Sequence, residues 1–188
     1  MNHKLNDELN TTPIDAELDQ ATLEEELSQE EVIDIEEIIK NLKVTSRKDE
    51  RVIAFFITYA VDRFDYDVEV ADVLDQFKLG FDIDIPHDSF AVSLAKGAVH
   101  DYTQLDEQIK PHLKNWKIER LGCCTRLILR LALWELNQKD SIPSIVINEA
   151  VELAKMFAEK DAYKFINGIL DEICKSMGLT IAKDKEII

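Results

Sequence analysis

Few residues after position 45 interrupt a helix. This part of the chain holds only five glycines and three prolines, and no stretch alternates apolar and polar residues for long enough to form a convincing sheet. The pattern therefore predicts an all-α body. The candidate helices span 47–63, 68–79, 87–99, 102–115, 119–138, 144–157 and 161–176. We expect Ser46 to be an N-cap, Gly80 and Gly178 to end helices, and Pro111 to kink or shorten its helix.

The first 45 residues differ from the body in charge. They contain 13 acidic residues and three lysines, a net charge of −10 out of −16 for the chain. The first 28 or so are polar, acidic and free of aromatic residues, which predicts a disordered tail. From about 30 to 43 the apolar residues lie on one helical stripe, which predicts an amphipathic helix. We therefore expect residues 1–45 to be an acidic, largely disordered extension and 179–188 to be a C-terminal tail.

Charge and hydropathy exclude several classes of protein. A net charge of −16 over 188 residues repels phosphate backbones, which argues against a generic basic nucleic-acid binder. The longest apolar run, 52–61, is about half of the roughly 20 residues that cross a bilayer. The start of the chain lacks the pattern of a signal peptide. We expect a cytoplasmic protein that does not bind membranes.

Motifs for catalysis or metal binding are missing from the sequence. Cys123, Cys124 and Cys174 are odd in number and lie in apolar helical stretches, which is typical of reduced core thiols. The four histidines show no ligand spacing with each other or with the cysteines. There is no glycine-rich phosphate loop, GxSxG elbow or HExxH pair. The sequence therefore predicts no enzyme, no metal and no cofactor.

Three blocks in the C-terminal third carry a family resemblance. They read RLILRLALWEL over 126–136, INEAVELAK over 147–155 after Pro143, and DAYKFINGILD over 161–171. In this order and spacing they resemble the NusB family of bacterial transcription antitermination factors. A D-x(2)-I-x(3)-L-x(2)-W-x(3)-RL pattern over 106–121 extends the resemblance, which covers roughly 46–178.

The resemblance implies a fold of two packed three-helix-type bundles, with the acidic extension added at the N-terminus. It implies binding of the single-stranded boxA element of nascent RNA, together with ribosomal protein NusE, in a complex that modifies elongating RNA polymerase. Carried over position by position, it makes seven residues candidates for RNA contact: Arg47, Lys48, Arg51, Arg126, Asp161, Lys164 and Phe165. The first three match a basic first helix that meets phosphates. Asp161 and Phe165 match positions that contact bases, where an aromatic ring can stack.

The residues alone leave other interpretations open. By its apolar neighbours Phe165 is more typical of a core, Asp161 of an N-cap, and the basic cluster of a solvated first turn. Trp134 is also expected in the core. Because Asp49 and Glu50 interrupt the basic cluster, a second hypothesis is a protein–protein adaptor with weak or lost RNA binding. In that hypothesis the acidic extension competes for the first helix. A homodimer is compatible with either hypothesis.

Overall fold

The computed structural model describes residues 45–114 and 116–180. These residues form seven α-helices: α1 Arg47–Arg63, α2 Val70–Phe81, α3 Phe90–His100, α4 Tyr102–Ile109, α5 Cys123–Leu136, α6 Pro143–Phe157 and α7 Ala162–Ser176. Short 3₁₀ turns cover Lys110–His112 and Ile118–Arg120. Within the described ranges no strand is present, so the all-α prediction is confirmed. The predicted disordered tail and amphipathic helix, and residues 181–188 of the C-terminal tail, lie outside the described residues.

Six of the seven helices pack as two groups of three. Helices α1, α2 and α3 contact one another, and so do α5, α6 and α7. Helix α5 joins the groups, because it also contacts α1, α3 and α4. Ten of its 14 residues are buried, as expected for a helix covered on nearly every side. The predicted pair of three-helix-type bundles is therefore confirmed.

The interior between the groups is apolar and aromatic. Phe157 of α6 stacks on Phe55 of α1 with ring centroids 4.7 Å apart, and its edge meets Phe56 at 5.2 Å. Residues from both groups are completely or almost completely buried, among them Ile57, Leu94, Leu127, Leu133, Ile166 and Leu170. Burial of an aliphatic side chain of this size contributes about 1.5–3 kcal/mol, so this interior is the main source of stability.

Local signals set several helix ends as predicted. Ser46 is the N-cap of α1, and its hydroxyl accepts a hydrogen bond from the Asp49 amide. Gly178 follows α7 with a φ of +70°, and the Gly178 and Leu179 amides donate to the Lys175 and Cys174 carbonyls. This is a Schellman arrangement, in which a glycine with positive φ ends the helix.

Other ends differ from the prediction. Helix α2 continues through Gly80 and ends at Phe81, and its C-cap Asp82 adopts a φ of +56°, so the predicted stop at Gly80 is wrong. Helix α4 ends at Ile109, six residues before the predicted end, and Pro111 lies in the 3₁₀ turn that follows. A proline inside an α-helix loses a hydrogen bond and clashes with the preceding turn, which explains the early end. Helix α3 begins after Ser89 and α5 after Gly122, three and four residues later than predicted.

The cysteines are free thiols, but only Cys174 is fully buried. Cys123 and Cys124 are half-buried, so the prediction of core thiols holds for one of the three. Within residues 45–114 and 116–180, there is no group of three or more His, Cys, Asp or Glu side chains that could hold a metal ion. In the same part of the chain, no helix is long and apolar enough to cross a membrane.

Candidate nucleic-acid interface

The acidic residues in the basic start of α1 serve the helix itself. Asp49 Oδ2 accepts hydrogen bonds from the Ser46 hydroxyl at 2.8 Å and the Ser46 amide at 3.0 Å, which completes a capping box. The hydrogen bond from the Ser46 hydroxyl is the main reason that the pKa of Asp49 is lowered. Glu50 Oε1 accepts from the Phe90 amide at 3.0 Å, which fixes α1 to the start of α3. Both carboxylates thus stabilise helix ends.

Arg47 and Lys48 remain on the surface. The Arg47 side chain is 65% exposed, forms an ion pair with Glu50 at 3.0 Å and lies over the Phe90 ring at 4.5 Å. Lys48 is exposed, and its charge contributes to the lowered pKa of Glu152 on α6, where the hydrogen bond from Lys155 is the larger cause. The charge of Lys48 therefore lies close to α6.

Arg51 lies one turn further along α1 and points into the protein. Only 8% of the residue is exposed, and its guanidinium donates to Glu135 of α5 at 2.9 Å and 2.5 Å. Glu149 lies 3.9 Å away on α6. The sequence prediction grouped Arg51 with the phosphate-contacting cations, but its donors bind carboxylates in the interior. This geometry gives it a structural place between α1, α5 and α6.

Arg126 also faces the interior, at the other end of α1. Its Nη2 lies 3.4 Å from both carboxylate oxygens of Asp62, and its Nε is buried without a hydrogen-bond partner. The neighbouring Arg130 donates to Asp106 at 2.7 Å and 2.7 Å, and to the Tyr66 hydroxyl at 2.5 Å. Burial is the main cause that raises the pKa of Tyr66. The cluster joins α1, α4 and α5, and it does not include the other RNA-binding candidates.

The start of α7 brings three candidates together. Asp161 is the N-cap residue with a φ of +66°, and its side chain makes no capping hydrogen bond. Its carboxylate instead accepts from Lys164 at 2.7 Å, which lowers the pKa of Asp161. Phe165 follows on the same turn and is half-buried, between the core position and the stacking position that the sequence allowed.

Phe165 and Trp116 separate two surface grooves. The first groove has a volume of about 340 Å³, and its wall includes Arg120, Lys160 and Asp161. The second has a volume of about 320 Å³, and its wall includes Lys114 and Lys164. Both rings line both grooves. Trp116 is 57% exposed, and its sequence motif did not predict a binding role for it.

The ring of Tyr163 contacts a lysine of α6 and a lysine of α7. The centroid of its ring lies 5.7 Å from Lys155 Nζ and 5.5 Å from Lys164 Nζ, within range of cation–π attraction. Lys155 in turn donates a hydrogen bond to Glu152, which is the main cause of the lowered pKa of Glu152. The charge of Lys48 contributes to the same shift. We call Lys48, Lys155, Tyr163 and Lys164 the basic track. Lys155 and Tyr163 were also missed from sequence, where a lysine on a polar helix face is an ordinary feature.

The loop before α7 is attached to the start of α5. The Thr125 hydroxyl donates to Glu159 Oε2 at 2.7 Å. Gly122 makes this approach possible, because a Cβ at this position would overlap the Glu159 carboxylate. The contact places the α6–α7 loop beside the first groove.

Relatives of known sequence and structure match most of the chain. The transcription antitermination protein NusB of Macrococcus caseolyticus is 39% identical over 132 residues, which cover 70% of this chain and 98% of that protein. The protein of the same name from Staphylococcus epidermidis is 41% identical over 133 residues, with 68% and 98% covered.

Two solved structures share the fold. NusB of T. maritima superposes with a TM-score of 0.61 at 31% identity, and the match covers 70% of this chain and 92% of that one. A structure described as antitermination factors NusB and NusE in complex with dsRNA gives 0.59 at 30% identity, with 71% and 99% covered. The sequence model of the NusB family matches residues 48–175, inside the range of 46–178 expected from the motifs. This chain belongs to the NusB family.

Proposed function

We propose that this chain is a transcription antitermination factor that binds boxA-type RNA of nascent transcripts together with NusE. The complex acts on the elongating RNA polymerase, and the chain has no enzymatic activity of its own. Its place of action is the cytoplasm. Its NusB relatives, and the related structure described as NusB and NusE in complex with dsRNA, support this assignment.

The observation that carries the proposal is the basic track. It joins the cations at the start of α1 to the start of α7 on a chain whose net charge is −16. In such a chain, neighbouring exposed cations are the surface on which a phosphate backbone gains attraction. Arg47, Lys48 and Lys164 meet phosphates, whereas Asp161 and Phe165 contact bases. Arg51 supports this surface from the interior, whereas Arg126 lies in the separate cluster around Asp62.

Single-stranded RNA is the form that suits Phe165. A ring can stack only on a base whose face is free, which a base inside a duplex does not offer. The carboxylate of Asp161 can accept hydrogen bonds from base amino groups. RNA binding requires that a base or phosphate compete with the Asp161–Lys164 ion pair, which is exposed and therefore weak.

A second candidate function is an adaptor that binds NusE with little RNA affinity. The specific observation in its favour is that the ion pairs of Arg47 with Glu50 and of Lys164 with Asp161 reduce the positive field. A basic ribosomal partner would restore that field. The two functions therefore differ in whether RNA binds when NusE is present.

The test is fluorescence anisotropy of a labelled boxA-type RNA titrated with this protein, alone and with NusE. Replacing Phe165 by alanine should weaken binding by about 1–3 kcal/mol, the range for loss of one stacking contact. Phe64→Ala is the matched control, since Phe64 is 61% exposed at the far end of α1 and should leave affinity unchanged. The same sequence in duplex form should bind more weakly than the single strand.

Salt dependence separates the two functions. For single strands the slope of log K against log salt is about −0.7 per neutralised phosphate, so Lys48→Ala should make it about 0.7 less steep. Binding of NusE without RNA, even at low salt, would leave the adaptor function in place of the antitermination function. An unchanged affinity of Phe165→Ala would remove the stacking role.

A further inference from the structure

Trp116 is a large aromatic residue on the surface. It lies between the two 3₁₀ turns and is 57% exposed, although tryptophan is mostly buried in folded proteins. Together with Phe165 it lines both grooves beside the start of α7. An exposed aromatic ring at the wall of a groove is a feature of binding surfaces.

The second groove has more positive than negative charge around it. Lys114 and Lys164 lie in its wall with one carboxylate, that of Glu172. Lys114 donates to Glu172 at 2.7 Å, and this pair ties the segment before Trp116 to α7. Both lysine side chains are well exposed, at 78% and 65%. Both ion pairs are exposed and therefore weak, so a phosphate can compete with the carboxylate partner of either lysine.

We propose that Trp116 is a second base-stacking platform, and that the second groove takes the nucleotide next to the one that stacks on Phe165. The proposal rests on the proposed RNA-binding function and deepens it. The two grooves share the rings of Trp116 and Phe165, so neighbouring nucleotides of one strand fill them in succession. Lys114 and Lys164 bind the phosphate of the nucleotide in the second groove. With volumes of about 320 and 340 Å³, both grooves are in the lower part of the range of about 300–1,000 Å³ for ligand sites.

Abasic scanning of the RNA tests this inference in the full chain with NusE present. A series of boxA-type single strands, each lacking one base, is titrated by anisotropy against the unsubstituted protein, Trp116→Ala and Phe165→Ala. In the unsubstituted protein two neighbouring abasic positions should each weaken binding. Trp116→Ala should weaken binding of the complete RNA about five- to 150-fold, the equivalent of about 1–3 kcal/mol. For Trp116→Ala, removal of one of those two bases should no longer weaken binding. For Phe165→Ala, removal of the other base should no longer weaken binding.

Matched variants show that the loss is one of stacking. Trp116→Phe keeps a ring and should retain most of the affinity, while Phe64→Ala removes an exposed ring elsewhere and should change nothing. Lys114→Ala should make the salt dependence about 0.7 less steep. Lys78→Ala, on α2 and 63% exposed, should not. Thermal unfolding of each variant shows that it is folded before it is titrated.

Two outcomes would overturn the inference and can be distinguished. If the unsubstituted protein binds RNA and Phe165→Ala weakens it, but Trp116→Ala does not, the second platform is absent and the proposed function stands. If no RNA binds to the unsubstituted protein with NusE at low salt, the proposed function fails and the inference fails with it. The inference would also be overturned if each abasic position weakened binding to Trp116→Ala as much as it weakens binding to the unsubstituted protein.

Discussion

Replacing Arg51 by methionine tests whether this arginine supports the fold or contacts RNA. The substitution keeps an unbranched apolar stem but removes both guanidinium hydrogen bonds to Glu135, at 2.9 Å and 2.5 Å. Glu135 is 8% exposed, so its carboxylate would be left buried with no cation at hydrogen-bond distance. Breaking a buried ion pair in this way costs about 3–5 kcal/mol. In a chain of this length each kcal/mol lowers Tm by about 2–4 °C, so we expect a Tm lower by about 6–20 °C.

The structure also predicts an asymmetry between the two partners. After Glu135→Leu, Arg51 still has Glu149 at 3.9 Å and the Arg47 carbonyl at 3.3 Å, so this variant should lose less stability than Arg51→Met. The double variant leaves no charge of this pair buried, and apolar replacement of both partners is often neutral or stabilising. We therefore expect the double variant to recover most of the loss.

The assay is thermal and urea unfolding of the four proteins, combined with RNA titration of the folded variants. Arg51→Met should lower the free energy of unfolding and leave the salt slope of RNA binding unchanged. A stable Arg51→Met protein with a slope about 0.7 less steep would refute the structural role and return Arg51 to the phosphate contacts. A double variant as unstable as Arg51→Met would show that packing, and not the unpaired charge, sets the cost.

Two further predictions concern packing and thiol chemistry. Gly97→Ala should destabilise the protein by about 1–3 kcal/mol, because the new Cβ would overlap the half-buried indole of Trp134. Gly168→Ala has open space on α7 and should stabilise the protein by about 0.5–1 kcal/mol. Urea unfolding measures both, and an equal effect of the two substitutions would contradict the overlap. Burial raises the pKa of Cys123 to about 11, and the hydrogen bond to Asp62 is the second cause. The reactive thiolate is therefore scarce at neutral pH and becomes the major form only above about pH 11. In a variant with Cys123 as its only cysteine, alkylation by iodoacetamide should keep accelerating up to about pH 11, and a plateau near pH 8.5, the ordinary value, would contradict this.

The helices and the family could be predicted from sequence because their signals are local. Ser46 caps the start of α1 and Gly178 follows the end of α7, each with a hydrogen bond to a residue three positions away. Both helix boundaries were predicted correctly. Gly80 shows the limit, since helix α2 passes through it and is capped by Asp82. A glycine permits the left-handed conformation that ends a helix but does not require it.

The allocation of charge between surface and interior depends on partners far away in the chain. Arg47 and Arg51 are one helical turn apart in a single basic cluster, and periodicity treats them alike. Only the packing of α5 against α1 brings Glu135, 84 residues later, to Arg51 and leaves Arg47 in solvent. Contacts of this kind have no signature in spacing, because they depend on how two helices meet.

The position of the aromatic residues at the interface has the same origin. The motif that contains Phe165 was sufficient to identify the family, and residue type was sufficient to suggest stacking. Whether the ring reaches a groove, and whether Trp116 joins it there, follows from the docking of the segment after α4 against α7. Local sequence thus determined the helices, their caps and the family of this protein, since each depends on residues close together in the chain. Tertiary structure decided which cations and rings form the interface, because long-range packing determines which side chains remain exposed.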